Sequence, residues 1–245
     1  MPKRRRAALA IAWTGTLAFA ASLLWFAYSY LVRFVDPTAS AVPTVGDSTA
    51  RAAVVNVLLF TGFAIHHSVL ARPAVKRSIA TVVPPELERS SYTWAASVLF
   101  AAVCWWWQPV PGTLYGLDGL WRAVAFVVQA TGFVLTIHAS RLLDVLDLSG
   151  VRAVHRAIAA QPARHVALET HGVYGFVRHP LYFAWALFVF ATPDMTATRL
   201  TFAIVSTLYL ALAIPLEERA LVDTFGTAYD DYRRRVRWRM IPGLY

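Results

Sequence analysis

The chain reads as an all-α polytopic transmembrane helix bundle of five to six membrane segments. The last two form a helical hairpin, and further helices lie at the cytosolic interface. Three observations predict this. The composition is 58% hydrophobic with a mean hydropathy of +0.50, far above a soluble domain. Apolar runs recur at the roughly 20-residue length that a helix needs to cross hydrocarbon. Basic residues are concentrated in alternate connecting segments, as the positive-inside rule requires.

The first apolar run covers 7–32 and follows Lys3-Arg4-Arg5-Arg6. Ala18-Phe19-Ala20 resembles a signal-peptide cleavage site, but the run continues to Val32, longer than a signal h-region. Retention as a first transmembrane helix is therefore expected. Pro37, Pro43 and Gly46 mark 34–51 as an irregular external loop. The second run is 52–70. The third, 91–108, closes on Trp105-Trp106-Trp107, read as an interfacial anchoring belt. The fourth is 120–140. Residues 142–165 interleave Leu, Val and Ile with Arg and Asp, a pattern suited to one helix in the interface plane. The hairpin is 181–192 and 196–215, turning at Thr192-Pro193-Asp194. No repeat breaks the chain, so 1–245 is expected to be one integral membrane domain.

Nineteen of the 23 Lys and Arg residues fall in the N-terminus, 71–90, 139–180 and 216–245, against four in the other three loops. Both termini are thus expected in the cytosol. The net charge of +9 serves topology and anionic-lipid contact. Nucleic acid is not an expected partner, because the basic residues are spread over four loops. Cys104 is the sole cysteine and lies within a span, which excludes a disulfide or multi-cysteine metal site within the chain. No metal is expected.

The chemistry concentrates at Gly172–Tyr182. Pro180 suits the first position of the helix that follows. The free amides of a helix start, with its positive dipole end, attract carboxylate or phosphate. Arg178 and His179 add a fork of donors and a titratable imidazole. The bland alternative is that Arg178 anchors topology and Pro180 simply starts a helix. Glu217 and Glu218 stand at the far end of the next apolar helix, where two adjacent acids repel each other. Their partner is either Arg219 or Arg178 across the fold, or an ammonium or sulfonium ligand. Neighbouring helical residues point about 100° apart, so one of the two is expected to face a pocket. Cations and carboxylates at one membrane boundary suit a zwitterion. Tyr229 and Tyr232 share a helix face and can stack on a ring or a cation. His66 and His67 sit near the inner end of the second span, with Arg72 beyond it. Ionisable groups in spans are functional candidates or bundle-internal partners. At adjacent positions these two histidines are not expected to face one ligand. His138 lacks a motif partner.

Gly-Val-Tyr-x-x-x-Arg-His-Pro-x-Tyr at 172–182, Glu217-Glu218-Arg219-x-Leu221, Phe225-Gly226-x-x-Tyr229-x-x-Tyr232 and Ile241-Pro242 together resemble the isoprenylcysteine carboxyl methyltransferase family. Those are integral membrane enzymes that use S-adenosyl-L-methionine. His67-Ser68-Val69-Leu70-Ala71-Arg72-Pro73, Glu88-Arg89-Ser90-x-Tyr92 and Ala191-Thr192-Pro193-x-Met195-Thr196 are similar to the bacterial methanethiol S-methyltransferase branch. Arg237 stands where the family usually has proline after the valine at 236.

The resemblance implies S-adenosyl-L-methionine as cofactor in the inner or plasma membrane of a bacterium. Its cofactor site would use Leu168 and Glu169 in a strand-like lead-in, then Tyr174, Arg178, His179, Pro180, Leu181 and Tyr182, then Glu217 or Glu218. No Gly-rich fingerprint follows a strand, so a Rossmann-type cofactor site is not expected. The acceptor would be a small thiol, methanethiol or hydrogen sulfide. His67 or His66 would assist deprotonation and Arg72 would stabilise the developing anion. Methylation of a prenylcysteine carboxylate or a lipid amine is the second enzymatic reading. A haem-binding or denitrification-linked membrane protein using His66, His67 or His138 is the non-enzymatic one.

Overall fold

A computed structural model describes residues 2–36, 49–70, 75, 78, 81–142, 144–162 and 167–245. In chain order its elements are α1 (Pro2–Tyr28, prolonged by a π turn, Ser29–Arg33), α2 (Thr49–Leu70), α3 (Glu88–Trp106), β1 (Thr113–Gly116), α4 (Gly119–Leu142), α5 (Val145–Leu148), α6 (Val151–Ile158), α7 (Pro180–Phe190), β2 (Asp194–Thr196), α8 (Ala197–Phe225) and α9 (Thr227–Arg235). Four helical stretches among the described residues are long and apolar enough to cross a membrane: Lys3–Arg33, Thr49–Val69, Gly119–Arg141 and Ala197–Phe225. The chain is therefore an integral membrane protein, mostly helical. The expected third span falls on a helix, α3, which is not among these four because it begins with Glu88, Arg89, Ser90, Ser91 and Thr93, residues that lower its hydropathy. The first arm of the expected hairpin, α7, has only 11 residues, about half a crossing at 1.5 Å per residue.

The chain divides into two compact units, Met1–Val110 with Leu143–Arg164 and Pro111–Leu142 with His165–Tyr245. In the first, α3 packs against both α1 and α2. Arg33, buried in the π turn, donates to the Cys104 and Trp105 carbonyls at 3.0 and 3.3 Å and lies 5.3 Å from the Trp25 ring. It thus satisfies carbonyls that the end of α3 leaves without helical partners. Asn56 pairs with the Gln108 backbone through both amide atoms, at 2.8 and 2.7 Å. Trp105 and Trp106 are exposed as an anchoring belt requires, whereas Trp107 is buried and belongs to the core.

The expected single interface helix over 142–165 is broken into α5 and α6 by Gly150, whose φ of +90° suits no other residue comfortably. A Cβ there would stand 2.4 Å from Ser90 Oγ and 2.8 Å from Ser90 N. The break turns Val151 and Val154 onto Ala12 of α1, so the apolar face of α6 is covered by protein. Asp147 accepts from Arg89 and Arg156, each at 2.5 Å. Burial opposes ionisation of Asp147, but the two guanidiniums outweigh it and hold the carboxyl below its usual range.

In the second unit α4 lies against α7. Gly132 permits that approach, since a Cβ would meet the Ala184 carbonyl at 2.7 Å, and Gln129 donates to the Phe188 carbonyl at 3.0 Å. Trp185 of α7 reaches Ser206 of α8 at 2.9 Å. The turn between α7 and α8 falls at Thr192–Asp194 as expected. It carries a short antiparallel ribbon, with Thr113 opposite Thr196 and Gly116 opposite Asp194, too brief to leave a period in the sequence. Arg122 grips Asp194 with both terminal nitrogens, at 3.1 and 2.8 Å. Thr196 caps α8 by accepting from Arg199 N.

α8 runs for 29 residues, about 43 Å against a hydrocarbon core of about 30 Å. It continues ten residues beyond the expected end at 215. Glu217 lies roughly 30 Å along the axis from Ala197, where the helix leaves hydrocarbon. Both carboxylates are placed by that length. Gly150→Ala is expected to destabilise the first unit by about 1–3 kcal/mol, through left-handed strain and the clash with Ser90. Thermal denaturation in detergent checks it, and an unchanged midpoint would contradict the packing described.

Candidate active site

Residues 172–182 fold locally as a 3-10 turn (Gly172–Gly175), a short extended link and the start of α7. Pro180 occupies the first turn of α7, as its locked φ favours. The link is paired to the tail of the chain. Arg178 N donates to the Trp238 carbonyl at 2.9 Å and His179 N to the Arg239 carbonyl at 2.8 Å. Side chains reinforce this pairing. Arg178 Nε donates to Glu218 Oε1 at 2.6 Å, and its Nη1 donates to the carbonyls of Val236 and Arg237 at 2.7 and 2.9 Å. Arg178 and Glu218 are both buried, with side chains 7% and 6% exposed. Arg239 comes from the opposite side, 3.3 Å from Glu218 Oε2, and its guanidinium sits 5.2 Å from the Tyr245 ring.

Glu217 points elsewhere. Its side chain is 40% exposed and accepts a short hydrogen bond from the Tyr182 hydroxyl. His179 lies against both acids, Nδ1 at 3.4 Å from Glu217 and Nε2 at 3.6 Å from Glu218, and its ring stacks on Tyr182 at 5.4 Å. Those separations are electrostatic contacts, and Nε2 has no hydrogen-bond partner. Burial favours the neutral imidazole, yet the carboxylates of Glu217 and Glu218 prevail and raise its pKa.

Beneath this cluster Tyr229 and Tyr232 are buried edge to face, 5.7 Å apart. The Tyr232 hydroxyl donates to the Tyr174 carbonyl at 2.7 Å. The Tyr229 hydroxyl is buried without a hydrogen-bond partner. Burial, and then the Glu218 charge, push it up to about 12. Tyr174 is likewise pushed up to about 12, by burial and then by Glu169. Glu169 accepts from the Thr170 and His171 amides at 3.1 and 2.9 Å. Leu168 and Glu169 form no strand; 167–170 carries no regular structure. A polar cleft of about 360 Å³ opens beside Glu218, lined by Pro215, Arg219, Asp223, Asp230, Arg233 and Arg239 among others.

The structure thus brings Arg178, His179, Tyr182, Glu217 and Glu218 together at the start of α7, with Pro180 and Leu181 in the same turn. Arg178 and Glu218 answer each other, the bland partnership, while Glu217 is the carboxylate left facing outward. Nothing in the sequence pattern marks Arg239, because a basic residue six positions before Tyr245 carries no periodic signal. In the first unit His67 Nδ1 lies 2.6 Å from the Tyr92 hydroxyl. His66 stacks parallel to the same tyrosine ring at 6.3 Å. The two histidines therefore border one side chain despite their adjacent positions, since a tyrosine is long enough to be reached from both. Arg72 lies outside the described residues.

No family model matches the chain, and no solved structure does. A methanethiol S-methyltransferase 2 of Bradyrhizobium diazoefficiens is 35% identical over 243 residues, covering 98% of this chain and 92% of that protein. A methanethiol S-methyltransferase of Mycobacterium tuberculosis is 34% identical over 225 residues, 89% of this chain and 91% of that one. This chain belongs to the methanethiol S-methyltransferase family. More distant is Nurim of Xenopus laevis, 28% identical over 173 residues, 65% of this chain and 59% of that protein. For a member of this family the arrangement at α7 offers a half-exposed carboxylate, a buried imidazole set between two acids and an aromatic face.

Two outcomes follow from the division between the glutamates. Glu218→Gln leaves two guanidiniums around a neutral amide and is expected to cost about 3–5 kcal/mol of stability, whereas Glu217→Gln, half in solvent, stays within about 1 kcal/mol. Comparing denaturation midpoints checks it, and equal losses would contradict the assignment. The raised pKa of His179 adds stability that is complete below its ordinary value of 6.5 and fades as pH climbs through the raised value. The wild type should therefore lose stability relative to His179→Gln on going above pH 6.5. A pH-independent difference would rule out the charged imidazole.

Proposed function

We infer that the protein is a thiol S-methyltransferase that moves a methyl group from S-adenosyl-L-methionine to methanethiol, giving dimethyl sulfide at the membrane. The observation that carries this reading is the near full-length identity to methanethiol S-methyltransferases, joined to a site whose residues fit the donor. An amino-acid zwitterion bearing a sulfonium needs a carboxylate for its ammonium, a donor for its carboxylate and an aromatic face for its sulfur. Glu217, the His179 imidazole and the Tyr182 ring offer that set. Tyr174, Arg178, Pro180, Leu181 and Glu218 hold those groups in place, and Leu168 and Glu169 line the approach.

When bound, the donor supplies a methyl group already activated by positive charge on sulfur. The chain's own work is then orientation, water exclusion and removal of the acceptor's proton. A free thiol titrates near 8.5, so only a few per cent is thiolate at neutral pH. His67, assisted by His66, takes that proton, and Arg72 stabilises the anion. The positive-inside bias supports cytosolic termini in a bacterial inner membrane. The polar-footed α3 and the α7–α8 hairpin support a count of five to six membrane segments.

Purified protein given methyl-labelled S-adenosyl-L-methionine should release labelled dimethyl sulfide from methanethiol and leave prenylcysteine and phosphatidylethanolamine unlabelled. The opposite preference would refute the thiol assignment. Glu217→Gln removes a charge-assisted hydrogen bond of about 1.5–3 kcal/mol. Exposure places it at the lower end, so the donor KM should rise roughly tenfold. An unchanged donor KM would remove Glu217 from the site.

A further inference from the structure

In the first unit α3 is the helix packed against α2, and Tyr92 of α3 makes two contacts with one residue of α2. Its hydroxyl oxygen lies 2.6 Å from His67 Nδ1 and 3.3 Å from the His67 carbonyl oxygen. The ring of His67 is also held by Phe63, one turn earlier on α2, with centroids 5.6 Å apart. Resting on the reading of His67 as the base above, we propose that Tyr92 is a positioning residue that fixes His67 in the tautomer able to take the thiol proton.

A tyrosine hydroxyl has one proton and can also accept. The carbonyl can only accept. If the hydroxyl gave its proton to Nδ1, two oxygen acceptors would face each other with no hydrogen between them. One hydroxyl proton shared between Nδ1 and the carbonyl would leave both bonds bent and weak; both contacts are full hydrogen bonds in one arrangement. There, His67 Nδ1–H donates to Tyr92, and the Tyr92 hydroxyl donates to the His67 carbonyl. The lone pair then resides on Nε2, because the nitrogen that is protonated is set by the bond the other makes. A base so defined breaks the acceptor's S–H bond and forms Nε2–H, becoming imidazolium. The electron pair left on the acceptor sulfur forms the new S–C bond as the donor's S–C bond breaks, its pair returning to the donor sulfur. Among the described residues, titratable neighbours of the pair include His66 on α2 and, one turn before Tyr92, Glu88 and Arg89, of which Arg89 pairs with Asp147.

Tyr92→Phe keeps the ring that stacks on His66 at 6.3 Å and removes only the hydroxyl, so the helix pair is retained. The test is nitrogen NMR on protein labelled at histidine and held in nanodiscs, with the His67 signals identified by their loss in His67→Gln. In the wild type Nδ1 should carry the proton and Nε2 should not, while Tyr92→Phe should shift His67 toward the Nε2–H form. Turnover of methanethiol by Tyr92→Phe should fall roughly tenfold at pH 6.5 and recover toward pH 9, with the donor KM unchanged. A wild-type Nε2–H form, or a tautomer indifferent to the hydroxyl, overturns the proposal even where His67→Ala remains slow, and leaves the base reading intact. The expected tautomer with full turnover in both Tyr92→Phe and His67→Ala overturns the base reading and the positioning role together.

Discussion

The contact between Arg178 and Glu218 is the constraint on which the second unit depends. It closes three segments at once: the link before α7, the C-terminal part of α8 and the tail from Val236 to Arg239. A buried pair gains little over an apolar one, since removing both charges from water costs several kcal/mol per ion. Its value lies in how many other groups it satisfies. The guanidinium serves two tail carbonyls that would otherwise be buried and unpaired, and Arg239 brings a second cation to the same carboxylate. Met240 then packs with Ala186 and Ile214, and Tyr182, Ile241 and Tyr245 surround them. The apolar closure of the tail is therefore downstream of an ionic one.

The same clasp decides what the remaining groups can do. With Glu218 committed, the second charge of the adjacent pair cannot turn inward too, because the helix directs consecutive side chains about 100° apart. Glu217 is left half in solvent, accepting from the Tyr182 hydroxyl and lying 3.4 Å from His179 Nδ1. His179 is lodged against both acids, and their carboxylates outweigh burial and raise its pKa. A site that binds a zwitterion needs charges fixed before the ligand arrives, since reorganising them on binding would consume the gain. Here Arg178, Arg239 and Glu218 fix one another's charges through contacts within the chain.

Much of this was legible beforehand, and the boundary of legibility has a physical origin. Apolar runs announced α1, α2, α4 and α8 because bilayer thickness imposes a length that composition must honour. The hairpin turn at Thr192–Asp194 was readable from Pro193. Arg178, His179, Tyr182 and the two glutamates stood out because charge at a membrane boundary is costly without purpose. What was illegible is whatever depends on tertiary pairing. The break at Gly150 needed the position of Ser90, and the ribbon of β1 and β2 needed two segments some eighty residues apart. The commitment of Glu218 to Arg178 rather than to a ligand was an open alternative until the tail was seen to supply Arg239. The role of Trp107 differed from that of its two neighbours for the same reason: three consecutive tryptophans on a helix end cannot all face lipid.

The bilayer enters the chemistry through α8 as well as the fold. A helix that began at Thr196 and ended at the far edge of hydrocarbon would bury its acids among acyl chains or omit them. By running about 43 Å, α8 passes the core and carries Glu217 and Glu218 into the interfacial layer. Pro215 sits two residues before them, inside the helix. Its ring removes one intrahelical donor and crowds the carbonyl of the residue four positions earlier. That carbonyl belongs to Ala211, and it accepts from the Tyr245 hydroxyl at 3.2 Å. Tyr245 thus satisfies the group that proline leaves without its helical partner, and in doing so it draws the tail across the C-terminal part of α8. Proline, tail and clasp are one arrangement: the irregularity that would weaken the helix near its acids is the feature that gives the covering tail a place to bind.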